Sequence, residues 1–225
     1  MLFAPFLALY AILFFFALAF FFILLEIHVI NYAFQLIGLP PELAFMALLA
    51  ALIGSYINIP ITRIATSTRH PPEIVSSFGV RYRVPIGYPA DSTIIAVNVG
   101  GAIVPILISI YVLMHWPGVI APALIGTAIV ALIVHRFARP IPGLGIATPM
   151  FIPPIVAAAA GYFLGLSTNH ADAIAFVSGV MGTLIGADLL NLGKLRDLGA
   201  PVASIGGAGT FDGIFLTGIV AVLLA

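Results

Sequence analysis

All eight lysines and arginines of this chain sit between apolar stretches, and only between every second pair of them. The apolar windows run over about 2–25, 43–61, 93–114, 119–135, 149–166, 172–190 and 210–225. Arg63, Arg69, Arg81 and Arg83 fall between the second and third windows. Arg136 and Arg139 fall between the fourth and fifth, and Lys194 and Arg196 between the sixth and seventh. Each window approaches the roughly 20 apolar residues that carry a helix across a bilayer, and basic residues keep to the cytoplasmic side. The pattern predicts an all-α polytopic bundle of about seven transmembrane helices. The three basic links and the N-terminus are then cytoplasmic, and the C-terminus is outside. A missed span would scramble the alternation.

Composition agrees. Of 225 residues, 62% are hydrophobic and 7% charged, against about 25% charged in a soluble domain. The expected solvent is lipid, the expected location a cell membrane, and residues 1–225 read as one integral membrane domain. Zero net charge and the absence of cysteine point away from nucleic acid, disulfides and thiolate metal sites. Leu2–Leu25 is too long for a signal-peptide core and has no basic residue before it, so it reads as a retained first helix. The sixth and seventh windows are each short or interrupted. Glu26–Glu42, apolar apart from Asn31 and Gln35 and stopped by Pro40-Pro41, reads as an interfacial or re-entrant piece.

The longest polar link is 62–92. Within it Val80, Tyr82, Val84, Ile86 and Tyr88 alternate with residues that include Arg81 and Arg83. We read it first as a basic loop against anionic headgroups. A short β element near 76–90 is the alternative that the period of two suggests. Prolines punctuate the apolar windows. Pro60 falls near the end of the second, and Pro105, inside the third, frees the carbonyl of Gly101, one turn from Asn98.

Two carboxylates placed at membrane depth are the least expected residues, and such groups commonly mark a functional path. Asp188 ends the sixth window and Asp212 begins the seventh. With the predicted orientation, Asn58 and Asn98 fall in the same cytoplasmic half, so four polar side chains from four spans converge there. Asp212 also suits a helix N-cap. Held close in a low-dielectric site, two carboxylates share a proton and can divide acid and base roles in hydrolysis. The same pair could bind a small cation. Gly207 and Gly209 permit close backbone approach before Asp212. The five histidines are scattered over both faces without zinc-site spacing, and His115 and Trp116 read as interfacial anchors.

The run GGAGTFDGIF resembles the GxGD segment of presenilin-type and prepilin-peptidase-type intramembrane aspartyl proteases. That resemblance implies a catalytic Asp188–Asp212 dyad. Here Thr210 and Phe211 separate the last glycine from the aspartate. Over more of its length, through GSYINIPI, AVNVGGAIVP, GIATPMFIPP and GGAGTFDGIFLTG, the chain resembles a prokaryotic multi-pass membrane family of unknown function. That likeness implies a fold without an activity. Three functions follow as expectations. The first is an intramembrane aspartyl protease acting on a membrane-protein substrate, with Asp188 and Asp212 catalytic. Asn58, Asn98, Gly101, Gly207 and Gly209 would then line the binding site. The second is a small ion-coupled transporter using the same residues. The third is a structural subunit in which both aspartates are caps. None calls for a cofactor.

Overall fold

The computed structural model describes residues 4–65, 74–77, 80–83, 92–141, 145–197, 202–207 and 213–225. Seven α-helices lie among them: α1 (Ala4–Leu36), α2 (Pro41–Gly54), α3 (Val104–His115), α4 (Ile120–Phe137), α5 (Ile152–Gly165), α6 (Ala171–Thr183) and α7 (Gly213–Leu224). The fold is mostly helical, as expected, but not all-α. Strands β1 (Asn58–Ala65), β4 (Ser92–Asn98) and β7 (Val202–Ile205) form one sheet in the order β1-β4-β7. Two hairpins join β2 (Ile74–Ser77) to β3 (Val80–Arg83), and β5 (Arg139–Ile141) to β6 (Gly145–Ala147).

These strands correct the expected ends of two spans. The second apolar segment stops being helical at Gly54, and the third begins as strand rather than helix. Hydropathy does not separate the two states in a short apolar run. The side chains do: Asn58–Ala65 and Ser92–Asn98 are rich in Ile, Val and Thr, whose branched Cβ favours a pleated chain. Pro60 therefore breaks no helix. It lies in β1 beside a register shift between Pro60 and Thr62, where a residue without an N–H is tolerated. β4 pairs antiparallel with β1 and parallel with β7. Its backbone is thus bonded on both sides, the condition for a strand at membrane depth.

Other expectations also change. Glu26–Glu42 is no separate piece: α1 runs unbroken to Leu36, and its last turns bury Ala33, Phe34 and Ile37 against the bundle. The basic link forms the β2–β3 hairpin over its described part, with Ser77 opposite Val80 and Ile74 opposite Arg83. Residues 84–91 lie outside the described residues.

Among the described residues, three helical stretches are long and apolar enough to cross a membrane: Ile12–Leu36, Pro117–Phe137 and Ala171–Lys194. The sixth window, expected to be short or interrupted, falls in one of them. It lengthens because α6 continues through a π-helical turn (Leu184–Asp188) into a 3-10 run (Leu189–Asp197). α2, α3, α5 and α7, of 14, 12, 14 and 12 residues, are the short ones.

α6 is the hub. Every residue from Ala173 to Val180 is buried, which leaves it no face for solvent or lipid. Its π-helical turn lies directly on α4: a Cβ on Gly186 would overlap the carbonyl oxygen of Ala131. A second π-helical turn, Val99–Ile103, joins β4 to α3. Pro105 sits in the first turn of α3, where a missing N–H costs least.

Candidate functional site

Asn58 and Asn98, expected on helices, are opposed partners of β1 and β4. Asn98 is 1% exposed. Its Nδ2 donates to the Ser55 carbonyl at 2.7 Å and to Asn58 Oδ1 at 3.1 Å. Its Oδ1 accepts from the Gly101 N–H at 2.8 Å and so caps the π-helical turn. The Ser204 hydroxyl of β7 donates to Asn58 Oδ1, drawing the third strand into the same network. Asn98 thus fixes the strand-to-helix change. Asn98→Ala leaves the Ser55 carbonyl and Gly101 N–H without this partner, and we expect a loss of about 2–4 kcal/mol in unfolding free energy. Equilibrium unfolding in detergent measures it.

Asp188 closes the Leu184–Asp188 π-helical turn. Its Oδ2 accepts from the Gly206 N–H at 2.8 Å, just past the end of β7. Gly206 has φ +85°, a left-handed conformation suited to glycine. It also leaves no space for a side chain, since a Cβ there would lie 2.7 Å from Ala102 N and 2.8 Å from the Gly101 carbonyl carbon. Gly206 is therefore the joint of the site, holding the Asp188 carboxylate while packed on the turn that Asn98 caps. Gly207 follows with φ +95°.

Asp188 faces a cavity of about 550 Å³ bounded by α5, the end of α6, β7 and α7. All four β7 residues line it, as do Gly207 and Gly213. The walls are largely apolar, with Phe151, Pro153, Leu216 and Val220 among them. The polar lining includes Thr148, Thr183, Ser204 and Thr217. The Thr217 hydroxyl donates to Gly213 O at 2.6 Å. Thr183 Oγ1 is buried without a hydrogen-bond partner, a condition that buried hydroxyls rarely sustain unless something else satisfies them.

Of the expected residues, Asn58, Asn98 and Gly101 form one bonded set, and Asp188 adjoins it through Gly206. Gly207 lies on the cavity wall. Gly209 and Asp212 lie outside the described residues, although Gly207 and Gly213, on either side of them in the chain, both line the cavity. Thr183, Ser204 and Asn191 were not anticipated. Asn191 alone carried a readable signal, standing three residues after Asp188 and hence on its side of a helical turn.

His115 and His170 flank Trp116, with ring centroids 4.6 and 4.0 Å from the indole. Among the described residues, no group of three or more His, Cys, Asp or Glu side chains could hold a metal ion.

A mostly helical fold, with three stretches among the described residues long and apolar enough to cross a membrane, has the features of a membrane-type protein. Residues 52–224, most of the chain, match the family described as "Protein of unknown function (DUF1614)", and the chain belongs to that family. No curated protein and no solved structure matches it. The expected likeness to a family of unknown function thus stands, while the GxGD resemblance gains no support from these comparisons.

Proposed function

We propose that this chain is a multi-pass membrane protein that hydrolyses a peptide bond in an extended segment of a membrane-protein substrate, with Asp188 and Asp212 sharing the acid and base roles. One observation carries the reading: Asp188 and the whole of β7 line the same cavity. Among the described residues, β7 is the last strand on its side of the sheet. An edge strand offers unpaired backbone groups, to which an unfolded peptide can add as a further strand. The reacting carbonyl would then lie beside a carboxylate already oriented by Gly206. Gly207 and Gly213 anchor both ends of the segment that carries Asp212 to the same wall. The test is cleavage of a single-span reporter by the purified chain in nanodiscs. Turnover should require both aspartates, and wild-type turnover in either the Asp188→Asn or the Asp212→Asn variant would contradict the reading.

A second reading, ion-coupled transport, rests on a different feature. Both Asn98 and Asp188 border π-helical turns, where the regular winding is interrupted. Interrupted helices carry ion sites in transporters. Proton or Na⁺ flux in liposomes, lost in Asp188→Asn while no reporter is cleaved, would favour it.

A further inference from the structure

Asn191 is fully buried, yet it belongs to the polar 3-10 run that leaves the cavity. Its Nδ2 lies 3.0 Å from Gly186 O and 2.9 Å from Ala187 O, the two carbonyls just before Asp188. The same nitrogen lies 3.1 Å from His135 Nδ1, in the last turn of α4. The Lys194 ammonium donates to Asn191 Oδ1 at 2.8 Å. These partners fix the amide's orientation. Carbonyl oxygens only accept and an ammonium only donates, so Nδ2 must face the carbonyls and Oδ1 the lysine. The two hydrogens of Nδ2 are shared among three acceptors, and a neutral ring with its proton on Nε2 offers the lone pair that completes the set.

We propose that Asn191 is a positioning residue that latches the Asp188 turn to α4, and that protonation of His135 releases the latch. An imidazolium carries N–H on both nitrogens and presents a donor to the Asn191 donor. The amide then loses its anchor on α4, and the turn it holds through the carbonyls of Gly186 and Ala187 is no longer tied to that helix. The charged groups on the packed elements are Lys194 on the 3-10 run, Asp188 on the π-helical turn, Arg139 on β5, and Arg136 on α4 itself. The side chains of Arg196 and Asp197 lie outside the described residues. The role given to Asp188 rests on the hydrolase reading; the latch itself does not.

Hydrogen exchange of the amides of residues 184–191, corrected for intrinsic rates, reads the latch without any substrate. In the full chain in nanodiscs, protection should fall about tenfold between pH 7.5 and pH 5.5, the scale of one buried hydrogen bond, across the range in which an imidazole titrates. His135→Asn puts an acceptor that cannot titrate near the place of Nδ1, and its protection should stay high at both values. Asn191→Leu should be low at both. Should Asn191→Leu fail to fold, the wild-type and His135→Asn comparison decides alone. Flat protection in the wild type, or an equal fall in His135→Asn, would overturn the latch. A reporter pH profile that flattens in His135→Asn ties the latch to turnover. If no reporter is cleaved at any pH, the hydrolase reading fails while the exchange result still judges the latch.

Discussion

Asp188→Asn should lower reporter turnover by about 10²–10⁴-fold, the usual contribution of a positioned acid or base, while the protein still folds. The substitution is close to isosteric, and the amide oxygen can still accept from the Gly206 N–H that holds Oδ2 at 2.8 Å. The joint between β7 and the π-helical turn is thereby kept. What the amide loses is the ability to exchange a proton with a water or a leaving nitrogen. Asp212→Asn should give a loss of the same order, because an acid and a base that act as a unit fail together. If unfolding midpoints match the wild type while turnover disappears, a capping role for Asp188 is excluded. A lower midpoint with full turnover would show the opposite.

Gly186→Ala carries the second large effect. A methyl group there would overlap the Ala131 carbonyl of α4, and backbone cannot move aside as a flexible side chain does. The π-helical turn has to lift away from α4 at a cost of about 1–3 kcal/mol for overpacking. The modest gain in helix propensity from Gly to Ala works the other way. Asp188 is displaced with the turn, so activity should fall beyond what the stability loss explains. Gly193→Ala is the control. A Cβ there meets nothing within 4 Å, and its unfolding midpoint should stay near that of the wild type. Thermal unfolding and reporter turnover, measured on both variants, separate local displacement from a general response to alanine.

The helices and the neighbourhood of the site were legible because lipid-compatible chains concentrate information in their few polar residues. Asp188, Asn58, Asn98 and Gly101 stood out for that reason. How they meet did not, because the link is a parallel pairing of β4 with β7 between segments more than a hundred residues apart in the chain. No periodicity in either strand announces such a partner. The apolar runs of β1 and β4 fit a helix as well as a strand until Pro60 and the branched side chains are weighed. The period of two at Val80–Arg83 suggests a strand only as the second reading, behind a basic loop, because the arginines also suit a headgroup surface. The spacing of Asn191 from Asp188 places it on the same side of a helical turn but does not give its partner. Its meaning depends on His135, which a sequence scan places on another helix with no sign of contact.

The central claim is that Asp188 and Asp212 meet across one cavity, and the chain is well suited to a direct measurement. It contains no cysteine, and Lys194 and Arg196 lie between the two positions. Asp188→Cys combined with Asp212→Cys in the full chain, mildly oxidised in nanodiscs and then cut by trypsin, reports the distance. Disulfides form when Cα atoms come within about 7 Å. We predict that the tryptic fragments stay joined until a reductant is added. Fragments that separate without reduction, in a protein whose unfolding midpoint is unchanged, would show that the two carboxylates do not meet.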